Sequence, residues 1–167
     1  VPRIVIPTSW GNHDRSTEKM ITGHGGEYSY AQEIYRDLRS WFGMLDKSIE
    51  FNIAESEWEI TDVHGYRIMF HHGHYVGYGG GQAGLGHPMQ KAIAAKRSNF
   101  NFRTLCIGHY HQVGMYHGGS AFTNGSLVGA NGYSSDMKFA TERPAQVAFL
   151  IDHQRQEVSN FFKIWGD

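Results

Sequence analysis

Cys106-Ile107-Gly108-His109-Tyr110-His111 is the stretch from which the rest of this chain is read. Residues 105–107 form an apolar run of strand length, and Gly108 lets the backbone turn sharply where a side chain would strain it. His109 and His111 then leave that turn one residue apart. Neutral imidazole is the commonest protein ligand for first-row metals, and a pair held at a rigid strand end could serve two ions. Alone, H-x-H is a common hairpin or surface pattern. Two further elements of similar make-up single this one out. Gly11-Asn12-His13-Asp14 and Phe70-His71-His72-Gly73-His74 each follow an apolar run and supply nitrogen or oxygen donors at a strand end.

The totals set the frame. A chain of 167 residues, 40% hydrophobic and 19% charged, has the make-up of one globular domain spanning 1–167. A net charge of −1 gives no bulk signature of a nucleic-acid or membrane binder, which leaves nucleic acid as a partner only through a local basic patch. No apolar run approaches the ~18 residues of a membrane span, and no signal-peptide pattern opens the chain. The single Cys106 cannot form an internal disulfide and reads as a small buried hydrophobe, which points to the cytoplasm. Val1 is not an initiator methionine and a strand begins by Arg3, so the expectation is a fragment or a processed chain. The excesses are 21 glycines and 11 histidines, residues for tight loops and for metal sites.

In chain order, residues 3–7 are a β-branched run ending at Pro7, a strand, and residues 8–14 the loop beyond it. Residues 15–29 are polar and glycine-rich, a loop. Tyr30, Ile34, Tyr35, Leu38, Trp41 and Phe42 recur at three and four, which predicts an amphipathic helix closed by Gly43 with its aromatics in the core. Strands follow at 49–53, 58–62 and 66–70. Asp62-Val63-His64 reads as a hairpin turn with Gly65. Residues 73–86, with seven glycines, are a flap or an irregular linker; no G-K-[ST] follows, so this is not a P-loop. His87-Pro88 starts a helix to about Arg97. Strands at 113–116 and 121–123 flank a Gly118-Gly119 turn, and Asn124-Gly125-Ser126 closes the second. Residues 127–144, with Tyr133, Asp136, Lys138 and Arg143, form a long loop suited to a specificity wall. Residues 146–152 and 158–164 make a closing hairpin.

G-N-H-D, strand-H-G-H and G-H-x-H, in this order, resemble the later half of the calcineurin-like metallophosphoesterase superfamily, over nearly the whole chain. The family's earlier D-x-H and G-D-x-x-D are absent from their expected places; Asp62-Val63-His64 comes too late to be the first of them. The resemblance implies an α/β fold, part of a four-layer α-β-β-α sandwich with mixed sheets that lacks its N-terminal strand-helix units. It implies a phosphoesterase, in particular a phosphodiesterase of phage or bacterial type, which hydrolyses its ester with a metal-bridging hydroxide.

By that resemblance Asn12, His72 and His109 would bind one metal and His111 the other. His71 is the alternative to His72, since some branches carry a doubled histidine and use the first. His13 would touch the scissile phosphate and assist the leaving group, Asp14 would steady the loop, and His74 would meet substrate. Two divalent ions, Mn, Fe or Zn, belong to the complete site. With the bridging carboxylate missing, this chain alone would hold one partial site. The missing part would come from an upstream segment or another chain, and without it the strand near residues 3–8 exposes an edge. The rival expectation is an inactive metal-binding or protein-scaffold fragment of the same fold.

Overall fold

The computed structural model describes residues 2–21, 25–78, 83–129 and 143–166. Strands β1 (Ile4–Pro7), β2 (Ile49–Asn52), β3 (Trp58–Val63), β4 (Tyr66–His71), β5 (Thr104–Ile107), β6 (Gly114–Tyr116), β7 (Ala121–Thr123), β8 (Ala145–Asp152) and β9 (Glu157–Trp165) accompany helices α1 (Tyr30–Leu45) and α2 (Ala83–Arg97). The result is a mixed α/β protein. A five-stranded sheet runs in the order β3-β4-β5-β7-β6, β1 pairs with β2, and β8 pairs with β9. The chain divides into two compact units, Val1–Thr61 with Met69–His72, and Asp62–Ile68 with Gly73–Asp167.

In the first unit β1 and β2 are parallel, Ile4 opposite Ile49 and Pro7 opposite Asn52. A parallel pair needs a crossover, and α1 lies between the two strands in sequence. Trp10 is the anchor, 3% exposed, its indole N–H donating to the Ser56 carbonyl at 3.1 Å. A short 3-10 turn, Gly25–Tyr28, brings Gly25 so close that a Cβ there would lie 2.3 Å from the Trp10 ring. This turn and a bridge between Arg15 and Ser29 structure part of what the composition reads as loop.

The helix departs from expectation in two ways. It continues through Gly43 to Leu45, and the Asp46 N–H donates to the Phe42 carbonyl at its end. Its aromatics are not uniformly core either. Phe42 stacks on Phe51, centroids 5.9 Å apart, but Tyr30, Ile34, Trp41, Met44 and Leu45 are exposed. The buried residue is Gln32, whose amide N–H donates to the Ala54 carbonyl at 2.6 Å. Apolar residues at three-and-four spacing mark a helix face; they do not say what covers it.

In the second unit β5 and β7 are parallel and β6 and β7 antiparallel. Leu85, Met89 and Ile93, four residues apart, form the buried stripe of α2. That helix starts a turn before His87-Pro88, so Pro88 sits inside it rather than at its first position. Phe122, 1% exposed, stacks on Phe149 at 4.4 Å and on Phe161 at 5.8 Å, which seats the β8–β9 hairpin. The expected strands at 49–53, 66–70, 121–123 and the closing hairpin all form within a residue or two. Residues 79–82 of the glycine-rich stretch, and 130–142 of the long loop with Tyr133, Asp136 and Lys138, lie outside the described residues.

Two glycines give opposite predictions. Gly25→Ala forces a methyl into the Trp10 ring, so urea unfolding is expected to show a loss of about 1–3 kcal/mol. A Cβ at Gly43 meets nothing within 4 Å inside α1. Gly43→Ala should therefore raise the urea midpoint, with a gain in stability of about 0.5–1 kcal/mol.

Candidate functional site

In the first unit, the loop after β1 is held by its own side chains. Asp14 accepts the Gly11 N–H on both carboxylate oxygens, at 2.9 and 3.1 Å, and the Ser29 hydroxyl at 3.1 Å. The Arg15 guanidinium donates to the Asn12 carbonyl, and the Tyr30 N–H to the Asp14 carbonyl. Asp14 thereby closes the 11–14 turn. His13 is exposed on it.

The loop so held presents Asn12 to the end of β4, where Asn12 Oδ1 lies 2.9 Å from His72 Nε2. With that nitrogen protonated, the contact is a hydrogen bond to the amide oxygen. Its length also suits an ion: two ligands about 2.1 Å from one metal at right angles lie about 3.0 Å apart. An amide oxygen and an imidazole nitrogen at that spacing fit adjacent positions on a divalent cation, with the His72 proton moved to Nδ1. Gly11 permits the approach, since a Cβ there would lie 2.9 Å from the His72 ring. His71, the last residue of β4, has a different neighbour. It is 7% exposed, with Nε2 3.9 Å from a Glu57 carboxylate oxygen. Of the two histidines, only His72 meets Asn12.

In the second unit, β5 delivers the other histidines. His109 and His111 both have left-handed backbone, φ 67° and 55°. That region is uncommon outside glycine, and residues held there cluster at functional sites. Between them the Tyr110 hydroxyl reaches back to donate to the Val76 carbonyl, with the Gly73 carbonyl 3.4 Å away. The ring of Tyr110 stacks on Tyr78 at 5.3 Å. Burial, and the neighbouring Tyr78, push its phenol up to about 12. Tyr110 is thus a fixed donor that ties the segment after β4 to the turn after β5. Along that tie His74 lies edge-on to His109, ring centroids 6.5 Å apart, and 4.0 Å from the Tyr75 ring. His111 is exposed.

The site calls therefore fall into two sets, each described within its own unit: Asn12, His13, Asp14 and His72 in one, His74, His109 and His111 in the other. Among the described residues no group of three or more His, Cys, Asp or Glu side chains is placed to hold a metal ion. The pair that fits an ion pairs histidine with asparagine. Tyr110 and Glu57 play parts that motif reading does not assign. The signal for Tyr110 was its place between the two histidines; for Glu57 there was none.

No protein-family model matches the chain, and no curated protein matches it either. Among solved structures it is similar to Vps29 from Entamoeba histolytica. A single mutant of that protein aligns over 98% of both chains, with 14% identity and a TM-score of 0.45. Wild-type Vps29 complexed with Zn²⁺ aligns over 97% of both, also at 14% identity, with a TM-score of 0.44.

Cys106 lies one strand position before Ile107. The residue is half-buried, and burial pushes its thiol up to about 12. The raised thiol is slow to react, because the thiolate is the attacking form. Iodoacetamide at pH 8 is expected to label the native chain far more slowly than the urea-unfolded one, by mass spectrometry; equal rates would place the sulfur in solvent.

Tyr110→Phe should cost about 1 kcal/mol by removing the bond to Val76. The pH dependence has a definite sign. The folded pKa of about 12 lies above the ordinary value of about 10, so the contribution is complete below about pH 10. It is lost as pH rises through about 12. The difference in urea midpoint between wild type and Tyr110→Phe should accordingly shrink from pH 9 to pH 11.

Proposed function

We propose that the chain carries part of a metal-dependent phosphoesterase site, the reading that its three histidine-bearing motifs suggest. The observation that carries this reading is the 2.9 Å approach of Asn12 Oδ1 to His72 Nε2, an oxygen and a nitrogen at the spacing of adjacent ligands on one ion. By the motif resemblance, Asn12, His72 and His109 would hold one divalent cation and His111 would contribute to a second. Mn, Fe and Zn suit this donor set, and bound ions would supply charge neutralisation at phosphorus and a nucleophile at neutral pH.

The chain's own residues then have separate tasks. Asp14 keeps the 11–14 turn closed, so that Asn12 points its amide oxygen and His13 its imidazole from one short loop. His13, exposed on that loop, passes a proton to the departing alkoxide. His74, beside His109, offers a hydrogen bond to a phosphate oxygen. The substrate class is a phosphodiester, with nucleic acid one member of it.

A second reading has its own support. The motifs D-x-H and G-D-x-x-D, which would supply the other ligands and the bridging carboxylate, are missing from their places in the sequence. Among the described residues β1 pairs with β2 alone, and α1 exposes Ile34, Trp41, Met44 and Leu45. These features suit a protein-binding scaffold, or a site completed by an upstream segment or another chain, located in the cytoplasm.

One assay separates the readings. Hydrolysis of bis-p-nitrophenyl phosphate with added Mn²⁺ is expected, and His109→Ala should lower it by roughly 10²-fold or more. Turnover that is absent with Mn²⁺, Zn²⁺ and Fe²⁺ alike would overturn the enzymatic reading for this chain. The scaffold reading would then stand.

A further inference from the structure

The turn between β3 and β4 is built unusually. Two residues, His64 and Gly65, connect the strands, with φ of 52° and 84°. Two central residues at positive φ make a type I′ turn, for which Asn-Gly is the favoured pair. Glycine fits at Gly65, where the N–H also donates to Asp62 Oδ1 at 2.7 Å. Histidine, like asparagine, is among the residues that enter this left-handed backbone more readily than most. Nothing in the turn itself calls for an imidazole.

Across the gap from it stands the β8–β9 turn of the same unit. The rings of His64 and His153 face each other with centroids 5.9 Å apart and planes inclined at 53°. The two turns that carry them are held together by a third side chain. The Gln156 amide N–H₂ donates to the His64 carbonyl at 3.0 Å and to the His153 carbonyl at 2.7 Å, clamping the two turns together. Asp152 Oδ1 accepts the N–H groups of Gln154 and Arg155 and so shapes the second turn. The nearby positive charge of Arg155 is shared with Asp152 and Glu157, at 3.7 and 3.9 Å.

We propose that His64 and His153 form a two-histidine site for a divalent transition-metal ion, separate from the strand-end histidines. Imidazole nitrogens bind such ions at about 2.0–2.1 Å, which puts an ion about 3.2 Å from each ring centroid. Two such arms span up to about 6.4 Å, so rings 5.9 Å apart can reach one ion at a bent angle. Both side chains are exposed, and water completes the coordination sphere. Zn²⁺, Ni²⁺ and Cu²⁺ are the ions that prefer imidazole. Among the described residues no third His, Cys, Asp or Glu joins the pair, so the site is weak and its ion exchangeable. Its effect is mechanical: the ion adds a second clip beside Gln156 between the β8–β9 hairpin and the β3–β4 turn.

The experiment is a Zn²⁺ titration followed by histidine side-chain NMR and by thermal melting. Signals from His64 and His153 should move together in the wild type, and Zn²⁺ should raise the melting temperature. His64→Asn keeps the turn and places the favoured Asn-Gly pair in it, so metal-free stability should equal or exceed that of the wild type. In that variant the His153 signal should stop responding to Zn²⁺; His153→Asn should silence His64 in the same way. His109→Asn should leave both responses intact, whatever becomes of phosphoester hydrolysis. A His153 response unchanged in His64→Asn, or no response of either histidine at millimolar Zn²⁺, would overturn the site.

Discussion

One buried hydroxyl sets the position of β5 and, with it, everything that β5 carries. Thr104 is fully buried, and its single proton goes to the Gly119 carbonyl at 2.7 Å. The Tyr66 hydroxyl, 2.6 Å away, must then donate to Thr104 rather than accept from it. This chain of two bonds joins the start of β4, the start of β5 and the turn before β7 through buried side chains. A slip of β5 by one residue would orphan two buried polar groups at once. The far end is pinned as well, since the Asn124 N–H donates to the Ile107 carbonyl at 2.7 Å. Fixed at both ends, a four-residue strand can hold the following turn in a conformation that a free loop would abandon.

That rigidity is what the left-handed backbone at His109 and His111 requires. Each such residue costs of the order of 1 kcal/mol or more and persists only where its surroundings over-determine it. Here the surroundings are the pinned strand on one side and the Tyr110 bond to the Val76 carbonyl on the other. The hydroxyl keeps its proton to donate, because burial holds it protonated well beyond neutral pH. The turn's strain is thus offset by contacts that lie outside the turn. A similar division holds in the first unit. Asp14 and Arg15 fix the main chain around Asn12, which leaves the amide oxygen to be spent on His72.

Much of this was legible in the residues, and the failures share a cause. Short β-branched or apolar runs marked β1, β2, β4, β7 and the β8–β9 hairpin, because strand length and turn chemistry are local. The three donor-bearing loops were legible as well, since each sits at the end of such a run. What the residues could not say was what lies opposite. Tyr30 and Trp41 were expected inside with the other aromatics of one helical face, yet both are exposed, and Gln32 is buried with its amide donating to the Ala54 carbonyl. Gly43 was expected to end α1, but open space around it gives the helix no reason to stop. The partners of Tyr110 and Gln156 lie 34 and 92 residues away, beyond the reach of any spacing rule. The separate neighbours of His72 and His71, Asn12 for the one and Glu57 for the other, were beyond local reading for the same reason.

The Asn12–His72 contact has a consequence for how a cation would be taken up. As a hydrogen bond it holds the two donor atoms at the separation that adjacent ligands need, so little side-chain reorganisation stands between the free and loaded geometries. Pre-organisation of this kind lowers the entropic cost of binding, which flexible asparagine and histidine side chains would otherwise incur. It also opposes binding slightly, because the proton on Nε2 must move to Nδ1 before the nitrogen can act as a ligand. The balance favours the pre-organised arrangement. A tautomer shift in a neutral imidazole leaves the net charge unchanged, whereas assembling two mobile side chains from scratch costs rotamer entropy for each. Gly11 belongs to the same economy. By leaving room for the ring against the loop, it lets the strand end and the turn close to contact distance without displacing either backbone.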